Sequence, residues 1–387
     1  MDLSSALEGV TVLSLAEQFP GPLCTRLLAD LGAEVIQLER PSGGDPQRRA
    51  NPWLFRFAGL GKKSVALDLK DADAYSAAHQ LAERCDVLVE GFRPGVMQRL
   101  QLSYDAVREF NPKVVYCSIS GYGQDGPYRD LTGHNINYEA ISGYLEPYTS
   151  GQYEYFTGGP PWGDVISGAL AASGILAGLR QAERTGTGTL VDISITDSLV
   201  FGLGGVLTRH ANGGETWPLR EGGYGLFQCS DGYIALGIAH EDNFWRALCA
   251  LLDLEQYADL DHLQRIEQRD ELRAAIGARL ILQPVDYWVQ AMGKEIPRSR
   301  VNRTADVADD PQIVQRRLFT DARDETGKSF VTVRSLFGGP EAATRSVPAL
   351  GGNARDVLAS LGLDDADISR LAAAGSEGEV ATATPPR

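Results

Sequence analysis

The chain has 387 residues, of which 43% are hydrophobic and 22% are charged, and its formal net charge at pH 7 is −15. This length predicts two domains, and the negative charge disfavours nucleic acid and anionic membranes as partners, because phosphate binding needs positive charge. The five cysteines are scattered without metal-ligand spacing, which argues against a zinc site or a disulfide framework and predicts a reducing compartment, the cytoplasm.

The sequence also gives no membrane signal. The N-terminal segment lacks the basic and apolar regions of a secretory signal. The longest apolar run, Val165–Leu179, is shorter than a membrane span and is interrupted by serine and glycine. We therefore expect no membrane association.

Strand and helix patterns alternate from the N-terminus. Short β-branched runs predict strands at Val10–Leu15, Glu34–Leu38, Ser64–Leu69, Asp86–Glu90 and Lys113–Ser118. Helical patterns lie between them at Leu23–Leu31, Asp71–Arg84 and Tyr104–Phe110, and Glu17–Pro22 is predicted to be a Pro/Gly loop. Regular alternation predicts an α/β fold with a doubly wound parallel sheet, whose ligands bind beyond the carboxyl ends of the strands.

The later part of the chain predicts a further helix and then a second domain. A helix is expected at Asp164–Arg180, and a Gly/Pro-rich stretch, Asn212–Gly225, marks a boundary. Beyond it we expect a hairpin that turns at Ser230–Gly232, followed by helices at Asp242–Leu252, Leu263–Leu282 and Pro284–Met292. The predicted domains are 1–212, 213–330 and a C-terminal segment 331–387, which returns to the first domain and is disordered from about residue 375.

Two residues stand out as candidates for chemistry. Asp164 directly precedes a long apolar run, where the first-turn N–H groups and the helix dipole would hold its carboxylate ionised. Such a carboxylate can serve as a nucleophile or a base, although an aspartate in this position can also be only a cap. His134 lies in a Gly-rich stretch and is either a catalytic base or a structural loop residue.

Basic residues cluster at the predicted strand ends of this acidic chain. Arg40, Lys62, Arg93 and Arg99 lie where a phosphorylated ligand could bind, although a solvated surface is the alternative. The first turn carries no GxGxxG motif, which disfavours a dinucleotide dehydrogenase.

Several longer motifs together resemble one family. These are LADLGAEVIQLERPSGGD, GKKSVALDLK, DVLVEGFRPGVMQRL, NPKVVYCSISGYGQDGPY, GDVISGALAASGILAGL and TGTGTLVDIS. They resemble the class III CoA-transferases, which include formyl-CoA, carnitine and bile-acid CoA-transferases and also α-methylacyl-CoA racemase. The resemblance implies a large domain with a Rossmann-like sheet, a smaller α+β domain, and a homodimer whose two chains interlock.

The resemblance also assigns roles to residues. CoA, the implied substrate group, would lie over Arg40, Lys62, Arg93 and Arg99, and Gln18 would shape its pocket. Asp164 aligns with the catalytic aspartate of the family, and no metal is implied. One position departs from the pattern, because Asn135 stands where both branches of the family usually carry an acid.

Three functions follow from the resemblance. In the leading one, Asp164 attacks an acyl-CoA, and CoA passes through an aspartyl anhydride and an aspartyl-CoA thioester to a carboxylic acid. In the second, a racemase uses Asp164 and His134 as an acid/base pair, with Glu241 paired to the histidine. In the third, the chain is a repurposed CoA-binding protein.

Overall fold

The computed structural model describes residues 2–149, 159–214, 220–338 and 345–376. The predicted disordered tail therefore lies outside the described residues, apart from its first two positions. The chain clusters into two compact units, one formed by Met1–Thr208 with Arg317–Arg387 and the other by Arg209–Arg316.

A parallel sheet of six strands forms the centre of the first unit. Its strands are β1 (Thr11–Ser14), β2 (Glu34–Glu39), β3 (Lys63–Ala66), β4 (Val87–Glu90), β5 (Val115–Ser120) and β6 (Thr189–Ser194). They are ordered β3-β2-β1-β4-β5-β6, and every neighbouring pair is parallel. The predicted α/β fold with a doubly wound sheet is confirmed, and the strand order reverses between β1 and β4.

Helices connect these strands. Within the described ranges up to residue 214 they are α1 (Pro20–Asp30), α2 (Gln47–Ala50), α3 (Pro52–Gly59), α4 (Ala72–Arg84), α5 (Val96–Arg99), α6 (Tyr104–Phe110), α7 (Asn135–Ser142), α8 (Glu146–Thr149), α9 (Trp162–Thr185), α10 (Ile195–Gly202) and α11 (Gly204–Ala211). The prediction of a loop through Pro22 was wrong, because α1 already begins at Pro20. Proline suits the first helical turn, where its missing N–H would have had no partner within the helix.

The two faces of the sheet bury separate apolar cores. Val12 and Leu13 belong to different clusters, as the two-residue period of a strand requires. The cluster around Leu13 includes Leu81 of α4, and the cluster around Val12 includes Ile175 of α9. Both faces are therefore covered by helices, which explains why the strands are continuous apolar runs.

The part of the chain from Arg317 onwards packs against the N-terminal part of the first unit. It contains β10 (Phe319–Arg323), β11 (Ser329–Val333), α17 (Ala354–Ser360) and α18 (Asp365–Ser376). Ser64 and Asn353 exchange two hydrogen bonds of 3.0 Å, one from each backbone N–H. Arg345 donates to the buried Asp30 over 2.7 Å. These contacts attach the segment to β3 and α1.

The second unit contains a small antiparallel sheet and short helices. Its elements are β7 (Tyr224–Gln228), β8 (Tyr233–Gly237), β9 (Arg298–Arg300), α12 (Asp242–Leu251), α13 (His262–Glu267), α14 (Arg269–Leu280), α15 (Val285–Ala291) and α16 (Pro311–Gln315), with 3-10 turns at Glu255–Tyr257 and Thr304–Asp309. The predicted hairpin is confirmed as β7 and β8. The predicted single helix Leu263–Leu282 was wrong, because Gln268, with ψ near 16°, separates α13 from α14.

Close packing of α9 on α1 depends on Gly168. A Cβ atom at this position would lie 2.7 Å from the carbonyl oxygen of Pro20 and 3.3 Å from the Leu23 Cβ. The α1 backbone therefore occupies the space that any side chain at position 168 would need. This contact fixes how deeply α9, which carries Asp164, sits against the sheet.

We predict that Gly168→Ala destabilises the protein by about 1–3 kcal/mol, because the added methyl group has to push two packed helices apart. Gly277→Ala is the matched control, since Gly277 also lies inside a helix but a Cβ there would meet nothing within 4 Å. The control should be stabilised by up to about 1 kcal/mol, from its higher helix propensity. Thermal unfolding measures both, and a Gly168→Ala protein as stable as wild type would contradict the packing argument.

Candidate active site

A cleft of about 910 Å³ lies at the carboxyl ends of β1, β4 and β5 in the first unit. Gln18 lines it after β1, Arg93 after β4 and Gly121 after β5. His134 and Asp164 also line it, from the beginnings of α7 and α9. The cleft thus occupies the point at which the strand order reverses, the usual ligand site of such sheets.

Asp164 is the third residue of α9 and is half-buried. Its backbone N–H donates to Asn135 Oδ1 over 3.3 Å. The residue before it, Gly163, has no room for a side chain, because a Cβ there would lie 2.8 Å from Asn135 Oδ1 and 2.9 Å from Ile195 Cγ2. Tight packing at the beginning of α9 therefore determines where the Asp164 carboxyl group stands.

The Asp164 carboxyl group is harder to ionise than its position predicted. Burial, and secondly the nearby charge of Glu139, raise the pKa of Asp164 to about 7. None of the described residues donates a hydrogen bond to its carboxylate oxygens. The helix N-terminus was expected to hold this carboxylate ionised, but burial raises its pKa instead, because the loss of solvation outweighs the dipole of the first turn.

Asn135 and Glu139 lie one turn apart on α7, behind Asp164. Glu139 is 1% exposed, and the Asn135 Nδ2 group donates to its Oε1 atom over 2.7 Å. The Asn135 amide thus accepts from the backbone of α9 with its oxygen and donates to a buried carboxylate with its nitrogen. The two helices are joined through this one side chain.

His134 immediately precedes α7 and is exposed. Its backbone N–H donates to Asn137 Oδ1 over 2.9 Å, and the Asn137 N–H donates back to the His134 carbonyl over 2.8 Å. This reciprocal pair of bonds fixes the backbone at the start of the helix, as in a capping box. The structure brings His134 and Asp164 to the same cleft, as the sequence predicted.

Tyr138 forms part of the cleft floor and is only 8% exposed. Its hydroxyl group donates to the Gly133 carbonyl over 2.7 Å, and burial, with smaller effects of Tyr122 and Asp164, raises its pKa to about 12. A Cβ at Gly121 would lie 2.4 Å from the Tyr138 ring. Gly121 therefore leaves the space that this aromatic ring occupies.

Gln18 has a left-handed backbone, with φ at +73°. Its N–H donates to both carboxylate oxygens of Asp45, over 3.1 and 3.3 Å, and its side-chain Oε1 accepts from Gln47 over 2.9 Å. Asp45 is 2% exposed, and burial raises its pKa. A buried carboxylate therefore stabilises a strained residue at the cleft wall.

Two of the predicted cationic residues are available to a ligand. Arg93 is exposed at the cleft and also lines a neighbouring cavity of about 340 Å³. Arg99 is exposed at the C-terminal end of α5. Within the described residues, neither guanidinium group has a hydrogen-bond or ion-pair partner.

The other two predicted cationic residues are engaged by the protein. Arg40 donates to Glu17 Oε2 over 2.8 Å and to the Gly44 carbonyl over 3.1 Å. Lys62 is 7% exposed, and its Nζ donates to Thr25 Oγ1 and to the Pro22 carbonyl over 2.7 and 2.9 Å. Burial lowers the pKa of Lys62 to about 7, against the opposing charge of Asp45.

Glu241 lies in the second unit, directly before α12. Its own backbone N–H lowers its pKa, and so does the N–H of Ala239, which donates to Glu241 Oε2 over 3.1 Å. The pairing of Glu241 with His134 stays a prediction.

The sequence analysis missed Glu139, Asp45 and Arg129. Arg129 also lines the cleft, and its Nε donates to the Gln124 carbonyl over 2.8 Å. The four-residue spacing from Asn135 to Glu139 could have indicated a shared helix face, but burial of the glutamate depends on tertiary packing. Among the described residues, no group of three or more His, Cys, Asp or Glu side chains could hold a metal ion.

One described helix, α9, is long and apolar enough to cross a membrane by length and composition alone. Seven of its residues are buried, among them Gly168, Ala171 and Ile175, and the last two belong to the core that also contains Val12. All five cysteines are free and buried.

Comparison with known proteins gives consistent matches over most of the chain. The family model described as CoA-transferase family III matches residues 7–354. The succinyl-CoA:mesaconate CoA-transferase of Haloarcula hispanica is 32% identical over 378 residues, which cover 90% of this chain and 93% of that protein. The succinyl-CoA:glutarate CoA-transferase of Homo sapiens is 32% identical over 394 residues, covering 95% and 89%.

A solved structure gives the same result for the fold. The crystal structure of a CaiB/BaiF family protein from Brucella suis has a TM-score of 0.79 to this chain at 25% sequence identity. The match covers 92% of this chain and 100% of that one.

Proposed function

The chain belongs to CoA-transferase family III, and from this we propose that it moves CoA from an acyl-CoA thioester to a carboxylic acid, with Asp164 as the nucleophile. The predicted family is confirmed, and the chain is an enzyme of the class III CoA-transferase type, as its named relatives are. The observation that carries the proposed role of Asp164 is its position at the cleft, where none of the described residues donates a hydrogen bond to its carboxylate oxygens.

The proposed reaction consists of four acyl transfers that balance without a further reagent. The Asp164 carboxylate attacks the thioester carbonyl, which forms a mixed anhydride and releases the CoA thiolate. The thiolate attacks the aspartyl carbonyl, releases the donor acid and leaves an aspartyl-CoA thioester. The acceptor carboxylate then attacks this thioester, which gives a second anhydride and releases the CoA thiolate again. The thiolate attacks the acceptor carbonyl, which forms the new acyl-CoA and regenerates the Asp164 carboxylate.

We propose that the four predicted cationic residues all contribute to CoA binding. Arg93 and Arg99 are exposed and have no hydrogen-bond or ion-pair partner among the described residues, and guanidinium groups bind phosphate in bidentate fashion. Arg40 adds positive charge beside Glu17. Lys62 acts from behind the cleft wall, because it lines the small cavity that Asp45 and Gln18 also line.

The acyl group is proposed to be that of a dicarboxylic acid. The named relatives transfer CoA from succinyl-CoA to mesaconate or glutarate, which are dicarboxylates. Arg129 lines the cleft that contains Asp164 and could pair with the carboxylate at the far end of such a group.

We also propose a cytoplasmic homodimer. Exposed apolar side chains follow α9 and α10, where Leu176 is 38%, Val200 41% and Phe201 75% exposed. Apolar surface of this kind is covered in oligomers, and a second copy of the chain is the proposed cover. Sedimentation equilibrium tests this, since a monomeric protein would exclude it. The five free cysteines are compatible with the reducing cytoplasm.

Racemisation of an acyl-CoA is the second candidate. It is supported by His134, which lines the same cleft as Asp164 and could exchange the α-proton with it. The proposed pairing of His134 with Glu241 belongs to this candidate. A repurposed binding protein is disfavoured, because Asp164 stands in the cleft.

The two candidates differ in whether an acceptor acid is needed. We expect the protein, incubated in deuterated water with acyl-CoAs and dicarboxylic acids, to form new thioesters only when an acid is present, as followed by mass spectrometry. Asp164→Ala should lower this transfer by at least about 10⁴-fold, as expected for loss of a nucleophile. His134→Ala should retain most of it. Deuterium at the α-carbon without an acceptor, lost in both variants, would establish the racemase instead.

The raised pKa of Asp164 predicts a pH-dependent rate. Only the carboxylate attacks, and for a pKa of about 7 its fraction rises from about 9% at pH 6 to about 91% at pH 8. The kcat/KM for transfer should therefore rise about tenfold between these pH values. Spontaneous thioester hydrolysis at each pH is the control. A flat profile over this range would mean that Asp164 is already ionised at pH 6.

A further inference from the structure

We propose that Glu139, acting through Asn135, is a positioning residue for the carboxylate of Asp164. The inference rests on the proposed function, in which that carboxylate is the nucleophile. Glu139 does not itself line the cleft, so its action on Asp164 passes through the side chain of Asn135, which does line it, and through its charge.

Hydrogen bonds connect Glu139 through Asn135 to the backbone of Asp164. Glu139 is 1% exposed, and its Oε1 accepts from Asn135 Nδ2 over 2.7 Å. The oxygen of the same amide accepts the Asp164 N–H over 3.3 Å. Gly163 lets α9 approach so closely that a Cβ there would meet Asn135 Oδ1 at 2.8 Å. Movement of the Asn135 amide would therefore move the backbone of Asp164.

The amide of Asn135 suits both of its hydrogen-bond partners. An amide donates with nitrogen and accepts with oxygen, whereas an ionised carboxylate only accepts. Aspartate at this position could still accept from the Asp164 N–H, but it would place a second negative charge against the Glu139 carboxylate. An apolar residue would leave both partners without this hydrogen bond. Asparagine is thus the side chain that suits a buried glutamate one turn further along the helix.

The charge of Glu139 also acts on the Asp164 carboxyl group. Among the described residues, the charged or titratable groups on the elements around Asp164 include His134, Tyr138 and Glu139 at α7, Arg93 after β4, Asp197 on α10, Cys24 and the buried Arg26–Asp30 pair on α1, Asp192 on β6, and Glu17, Tyr122 and Arg129 at the cleft. Of these, Glu139 is the one whose charge raises the pKa of Asp164. Acylation removes the negative charge of Asp164, so the repulsion from Glu139 is relieved as the anhydride forms. Glu139 therefore favours the attack once Asp164 is ionised.

The test measures the ionisation of Asp164 without turnover. Isotope-edited infrared spectroscopy with labelled aspartate follows the protonated carboxyl band against pH, and the spectrum of Asp164→Asn identifies the signal. Glu139→Gln removes the charge but keeps an oxygen that can accept from Asn135. Asn135→Asp adds a charge between Glu139 and Asp164. Glu109→Gln is the matched control, because Glu109 is an exposed glutamate on α6.

We expect the pH midpoint of Asp164 ionisation to fall by roughly 0.5–1 pH unit in Glu139→Gln and to rise by a similar amount in Asn135→Asp. This is the scale of the effect of a nearby like charge. Glu109→Gln should match wild type. The pH profile of transfer should shift by the same amounts. Equal midpoints in wild type and Glu139→Gln would overturn the inference. Should that variant fail to fold, an unchanged midpoint in Asn135→Asp would overturn it as well. Shifted midpoints in a protein that transfers no CoA would support the positioning role and refute the proposed function.

Discussion

The structure depends on how closely the beginning of α9 can approach its neighbours. Gly168 lets the helix lie against the α1 backbone, and Gly163 lets it lie against Asn135 and Ile195. Side chains at these two positions would displace Asp164 from the cleft wall. The doubly wound sheet supplies the cleft at its switch point, but these two glycine contacts place the carboxyl group within it. The packing of α9 therefore determines the position of the Asp164 carboxyl group.

Burial then decides the chemistry of that carboxyl group. A first-turn aspartate is normally stabilised as an anion by free N–H groups and the helix dipole. Here none of the described residues donates to the carboxylate oxygens, and Glu139 adds a like charge. Desolvation outweighs the effect of the helix N-terminus and raises the pKa of Asp164 to about 7. The carboxyl group is therefore partly ionised near neutral pH. Hydrogen bonds to the buried carboxyl groups of Glu139 and Asp45 hold the cleft-lining residues Asn135 and Gln18 in place.

Much of the fold could be predicted, because buried parallel strands are continuous apolar runs that are visible in one sequence. Asp164 and His134 could be assigned to one site, since both lie in loops or helix starts at the carboxyl edge of the sheet. The direction of the Asp164 pKa could not be predicted, because it depends on burial. Glu139 was missed for the same reason. The break between two helices at Gln268 has no proline or glycine that would signal it. The hydrogen bonds of Lys62 could not be predicted, because their partners lie on α1, which is distant in sequence.

In the proposed mechanism, Asp164 carries first the acyl group and then CoA. The most direct measurement is to add hydroxylamine during turnover with an acyl-CoA and to analyse the peptides by mass spectrometry. Hydroxylamine cleaves an aspartyl thioester and leaves a hydroxamate on the side chain. We therefore expect a hydroxamate on Asp164 that forms only when acyl-CoA is present. Acid-dependent CoA transfer at full rate, with Asp164 unmodified, would contradict it.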